Sequence, residues 1–101
     1  MDIYTILSPS EISEDLANRL KQRRLARNLT QVGLAARSGV PLGTLKKFEG
    51  SGSISLVSFI RLLVSLDEQA GLERLLERNT QAATLDELVS KPNVRKRGRL
   101  T

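Results

Sequence analysis

The chain predicts an all-α fold built from five helices, and three observations carry that prediction. Apolar residues recur at three- and four-residue spacings along most of the chain. Ser, Thr, Pro, Asn and Gly stand where helices start and stop. The composition expected of a strand is confined to the start, Met1 to Leu7 (MDIYTIL). That stretch is too short to fold alone, and it reads either as a strand pairing with a partner copy or as an extended arm, with the arm preferred within one chain.

The elements follow in order. Ser8-Pro9-Ser10-Glu11 is a helix start: Ser8 caps, Pro9 takes the first position, and Glu11 answers three residues after the cap. The helix runs to about Arg27, with Ile12, Leu16, Ala17 and Leu20 as its inward stripe. Its acids lie near the N-terminus and its arginines near the C-terminus, the favourable sense for the helix dipole. Asn28 is a left-handed stop, and Leu29 turns into the core. Thr30 then caps a second helix over Gln31 to Arg37, whose Leu34 and Ala35 face inward with Val32 beside them. Gly39 ends it in the left-handed conformation, Val40 packs under the turn, and Pro41 opens a third helix. There Leu45 and Phe48 lie three apart and point to one core, while Leu42, Gly43, Lys46 and Lys47 occupy the opposite face.

After the loop Ser51-Gly52-Ser53, Ser55 caps a fourth helix from Leu56 to Leu66. Leu56, Phe59, Ile60 and Leu63 follow the helical pattern, and Val57, Leu62, Val64 and Leu66 widen the apolar surface beyond one face. Such a helix on a small domain is expected to meet a second subunit. A fifth helix is expected over roughly Glu68 to Arg78, with Leu72, Leu75 and Leu76 clustered and Gly71 weakening its start. Asn79 to Ala83 reads as a linker. Thr84-Leu85-Asp86-Glu87 opens a short amphipathic helix ending near Ser90, whose Leu85, Leu88 and Val89 are too few to stabilise it alone. It is expected to dock on this domain, on its twin or on another protein. From Lys91 the composition changes to KPNVRKRGRLT, with five basic residues and no acid. This is the composition of a disordered tail. The organisation is thus an arm (1–7), one helical domain (8–78), and a linker, short helix and basic tail (79–101).

Charge and composition narrow the function. From Leu16 to Phe48 there are eight basic residues and no acid: Arg19, Lys21, Arg23, Arg24, Arg27, Arg37, Lys46 and Lys47. A solvated face normally mixes signs, so a one-signed block argues for a phosphate-facing surface. The third helix, apolar on one side with two lysines on the other, suits a DNA major groove. A structural helical hairpin with a solvated lysine face satisfies the same residues. The 101 residues contain no Cys and no His, which removes thiol nucleophiles, disulfides, imidazole bases and the usual zinc ligands. No acid–base or nucleophilic constellation can be assembled, so the expectation is a non-enzyme without cofactor or metal. No apolar run approaches the ~20 residues of a membrane span, and the N-terminus lacks a signal-peptide pattern, so a cytoplasmic protein without membrane contact is expected.

The segment LTQVGLAARSGVPLGTLKKFEGSG resembles the helix-turn-helix of the Cro/Xre class of repressors, whose pattern is LTQ-x-x-LA-x-x-x-GV-x-x-x-TL-x-x-x-E. Leu29, Thr30, Gln31, Leu34, Ala35, Gly39, Val40, Thr44, Leu45 and Glu49 fit it, and with the flanking helices the likeness covers about Ser8 to Arg78. The lead-in YTILSPS, the segment GVPLGTLKKFE, the SFIRLLVSL helix and the basic tail after TLDEL are closer still to HipB-type antitoxins, encoded beside HipA-type serine/threonine kinases. The resemblance implies a five-helix, lambda-repressor-like domain that binds operator DNA as a symmetric homodimer. It further implies autorepression of a toxin–antitoxin operon and a complex with a HipA-like kinase. A plain transcriptional or prophage repressor without a toxin partner is the alternative. A module that restrains a kinase with little use of DNA is a third.

By the same resemblance, Gln31 and its helix N-terminus hold a phosphate, Leu42, Gly43, Lys46 and Lys47 face bases, and Thr44 contacts phosphate or a methyl group. Arg37 belongs to the same DNA-binding set. Arg97-Gly98-Arg99 resembles an AT-hook core, which adds Arg95, Lys96, Arg97 and Arg99 as tail contacts with the minor groove. Gly33, Leu42 and Gly43 depart from the family, where larger polar residues are common. Leu42 can still pack on a thymine methyl, and Gly43 permits close backbone approach. A contribution from DNA shape is therefore expected.

Overall fold

A computed structural model describes residues 3–77, and every described element is helical. Five α-helices follow a short 3-10 turn at Ile3–Thr5: α1 (Pro9–Ala26), α2 (Gln31–Ser38), α3 (Leu42–Ser51), α4 (Leu56–Ser65) and α5 (Ala70–Arg74). The expected all-α class is observed, and the helix starts fall where the capping residues put them. Ser8 and Glu11 form a reciprocal capping box on α1, the Thr30 side chain accepts from the Gly33 amide on α2, and the Ser55 side chain accepts from the Ser58 amide on α4. The Ser8 amide donates to the Glu11 carboxylate, and that bond, with the Ser8 hydroxyl, holds Glu11 below the usual carboxylate range. Pro41 occupies the cap of α3, one position before the helix.

The stops were equally local. Asn28 adopts φ 58°, and the Leu29 amide reaches back to the Arg24 carbonyl, closing α1 with a Schellman motif in which Asn replaces the usual glycine. Asp67 at φ 59° does the same for α4, with the Glu68 amide bonded to the Leu63 carbonyl. Gly39 and Gly52, at φ 76° and 82°, end α2 and α3. Gly52 has a second reason to be glycine. A Cβ there would lie 2.8 Å from the Ser13 carbonyl carbon and 2.9 Å from the Glu14 nitrogen, so the end of α3 rests directly on the backbone of α1.

The core is one cluster: Ala17 and Leu20 from α1, Leu34 from α2, Val40 from the turn, Leu45 and Phe48 from α3, and Leu62 and Leu66 from the end of α4. Leu29, Ala35, Ile54, Phe59 and Leu63 pack around it, and the Phe48 and Phe59 rings meet edge to face at 5.5 Å. Helix α3 packs against α1 and α2, and α2 against α4.

Four expectations are corrected. Residues 3–7, the described part of the opening stretch, are neither strand nor extended arm. Ile3–Thr5 forms a 3-10 turn, and the Tyr4 hydroxyl donates to Asp15 Oδ2 at 2.7 Å while accepting from Arg19 Nη1 at 3.0 Å. Its desolvation, together with the bond to Asp15, raises the phenol above its ordinary pKa. Helix α5 is Ala70–Arg74 and stops well short of Arg78, because Leu75 is extended and Leu76 turns to φ 56°. Leu75 and Leu76 are consequently exposed instead of clustering inward with Leu72. Val32 points outward on α2, where α2 is turned to bury Leu34. The amphipathic segment Thr84 to Ser90 and the tail residues Arg95, Lys96, Arg97 and Arg99 lie outside the described residues.

Candidate functional site

The outward face of α3 is formed by the residues that the core does not claim. Leu45 and Phe48 fix the inward side, which leaves Gly43, Lys46, Lys47 and Gly50 exposed, with Leu42 and Thr44 half-buried at the margins. Gly43 and Gly50 lie seven apart, on the same stripe as the lysines. A Cβ at either would meet nothing within 4 Å. The stripe is therefore low at both ends, and its relief comes from the two lysines. Arg37, in the last turn of α2, is also exposed.

Helix α3 is held at its other end by a charged cluster that sequence reading had assigned elsewhere. Arg24, taken for part of the phosphate-facing block, is inside the protein, and its side chain is only 7% exposed. Its guanidinium grips the Glu49 carboxylate with two bonds, Nε to Oε2 at 2.8 Å and Nη2 to Oε1 at 3.0 Å. The third arm, Nη1, donates to the Leu29 carbonyl at 2.8 Å. Gln31 Nε2 donates to Glu49 Oε1 at 2.9 Å. One N–H of the Gln31 amide is thus committed to Glu49, and its second N–H and its side-chain oxygen are left to turn elsewhere. The N-terminus of α2 and the C-terminal half of α3 are thereby tied to the end of α1 through one carboxylate. The clue was in the charge pattern, since Glu49 is the first acid after the one-signed block ends at Phe48.

The rest of the basic block also divides. Arg23 reaches Glu68 at 3.1 Å and Arg27 reaches the same oxygen at 4.0 Å, joining the end of α1 to the turn after α4. Arg19 belongs to the Tyr4–Asp15 group, where the phenol's hydrogen bond raises its pKa. Among the described residues Lys21, Arg37, Lys46 and Lys47 form no ion pair from that block. Three of those four cations lie on α2 and α3. The sequence-predicted residues Gln31, Arg37, Leu42, Gly43, Thr44, Lys46 and Lys47 therefore all sit on the two helices that flank Gly39–Pro41. Among the described residues, Gln31 is the member of this set whose side chain is hydrogen-bonded to another side chain. No protein-family model matches the chain, and no curated protein sequence is significantly similar to it.

Proposed function

We propose that this chain binds duplex DNA through α2 and α3, as an Xre-type helix-turn-helix repressor with α3 as the recognition helix. The observation that carries the reading is the outward stripe of α3. Two lysines with no ion pair among the described residues stand there on a helix whose opposite side is locked in the core and whose end is fixed by the Arg24–Glu49–Gln31 cluster. A preorganised cationic helix of this kind meets the phosphate-rich walls of a groove without having to reorder. With glycine at positions 43 and 50, the backbone can come close, and direct base-edge contacts are few. Sequence preference then depends substantially on DNA shape. The biological assignment is a dimeric repressor of its own operon and the HipB-like antitoxin of a HipA-like kinase. It rests on the resemblance of the segment from Leu29 to Gly52, the fourth helix and the tail; a repressor without a toxin partner is the reading that remains if no kinase is bound.

The test is binding of the full chain to its own promoter and to a scrambled duplex, measured by fluorescence anisotropy across a salt series. Lys46→Ala and Lys47→Ala should each weaken binding while circular dichroism stays unchanged. A base contact is worth about 1–3 kcal/mol of discrimination between the two duplexes. A phosphate contact instead weakens both alike and reduces the salt slope by about 0.9. Full affinity in both folded variants would remove α3 from the interface. Co-purification with the neighbouring kinase, if one is encoded there, decides the antitoxin assignment separately.

A further inference from the structure

The end of α1 carries a charge arrangement that the lysine stripe does not use. Arg23 in the last turn of α1 and Arg27 at its C-cap stand four residues apart, so their side chains leave the same face. Both reach a single atom, Glu68 Oε2, from Arg23 Nη1 at 3.1 Å and from Arg27 Nη2 at 4.0 Å. Among the described residues, neither arginine has another acid within ion-pair distance. Two guanidinium groups thus face one carboxylate. That leaves a local excess of positive charge and, among the described residues, most of their N–H donors without a protein acceptor. The arginine side chains are 63% and 46% exposed, and that of Glu68 is 26% exposed, so the cluster is open to a ligand. The backbone under the carboxylate is fixed. Asp67 at φ 59° turns the chain, and the Glu68 amide donates to the Leu63 carbonyl at 2.8 Å. The carboxylate can therefore swing away by side-chain rotation alone.

We infer that Arg23 and Arg27 form a phosphate-binding site, and that Glu68 is its intramolecular occupant, displaced when a phosphate group binds. A guanidinium recognises carboxylate and phosphate with the same fork of donors. Glu68 offers both arginines one oxygen and a single charge. A phosphate group offers several acceptor oxygens and a higher charge, so it can satisfy both forks at once. An exposed ion pair contributes little to stability, so displacing Glu68 costs little. The exchange also removes the tie between the end of α1 and the turn that leads into α5, a helix with no buried residue of its own. The phosphate can belong to a free polyphosphate or to a nucleic-acid backbone. The site stands on α1 and does not depend on what α3 binds.

The full chain is titrated with sodium pyrophosphate at constant ionic strength, and NMR follows the Glu68 amide and the Nε–H groups of Arg23 and Arg27. These signals should shift along a saturating curve while the amides of Leu34 and Leu45 stay in place. A random-sequence duplex is the second arm. Saturation with the duplex but not with pyrophosphate assigns the site to backbone phosphate. Glu68→Gln removes the competing charge and should tighten binding of whichever probe saturates by about two- to fivefold, the span that an exposed ion pair accounts for. Arg23→Gln with Arg27→Gln, in a protein of unchanged circular dichroism, should abolish the saturating shift at the Glu68 amide. If neither probe moves these signals more than sodium chloride does, if Glu68→Gln binds no more tightly, or if the arginine double variant keeps the shift, the proposal is wrong. Duplex-induced shifts at Lys46 and Lys47 with none at Glu68 would leave the reading of α3 standing and remove this site alone.

Discussion

Arg24 and Glu49, 7% and 5% exposed as side chains, have lost nearly all of their water, so each depends on the other for solvation. Buried pairs of this kind are weak evidence of net stabilisation, yet breaking one leaves an uncompensated charge inside the protein. Glu49→Gln preserves shape and removes the countercharge. It should cost about 3–5 kcal/mol in urea unfolding, a large share of what a domain of this size possesses. Replacing both partners together, as Arg24→Met with Glu49→Leu, should cost clearly less than the two single changes added. Additive losses would mean that the pair is not a unit. Arg24 was misread from sequence because a run of like charges says nothing about which member turns inward. That is decided by the helical phase of α1, where Arg24 follows the buried Ala17 and Leu20 on the core side.

Helix limits were largely legible, because caps act within one turn of the residue that makes them. Ser8, Thr30, Asn28, Gly39 and Ser55 each have their partner within five residues. Helix α5 was not legible. Leu72, Leu75 and Leu76 have helical spacing, but five residues around Gly71 have too little apolar contact to propagate the helix. The turn at Ile3–Thr5 was hidden for the opposite reason, since Tyr4 finds its partners at Asp15 and Arg19, beyond the reach of any local pattern. The two glycine stops also differ in a way that only packing reveals. Gly39→Ala meets open space and should cost about 1 kcal/mol, the strain of a left-handed alanine. Gly52→Ala carries the same strain and must also push α3 away from the backbone of α1. It should cost at least about 2 kcal/mol by thermal or urea unfolding. Equal losses at the two positions would mean that the α1–α3 contact yields freely.

At the scale of the whole molecule, the basic block resolves into an interior charge, tied arginines and, among the described residues, four cations without an ion pair, Lys21 on α1 and Arg37, Lys46 and Lys47 on α2 and α3. Sequence reading overstated the breadth of the exposed positive region, since ion pairs formed across helices remove charges that a one-dimensional pattern leaves exposed. Helix α4 carries Val57 and Val64 on its outer side at 62% and 53% exposure, with Arg61 between them. The proposed two-fold recognition of an operator would need a self-complementary surface of roughly 800 Å² per partner, and under that proposal this side of α4 would be its apolar centre. Val57→Asp with Val64→Asp should therefore convert a dimer to a monomer in sedimentation velocity, with helicity unchanged. A wild-type chain that sediments as a monomer at tens of micromolar, or a variant that still dimerises, places the two-fold contact elsewhere.

The tie between Tyr4, Asp15 and Arg19 also determines what light can report about this protein. The chain has one tyrosine and no tryptophan, so its intrinsic emission above the phenylalanine band comes from Tyr4 alone. That ring stands on a turn at the edge of α1, held by polar contacts, and no member of the core cluster shares its signal. Emission is thus a gauge of one peripheral latch. Ellipticity in the far ultraviolet gauges the helices, and the two optical windows look at different parts of the same molecule.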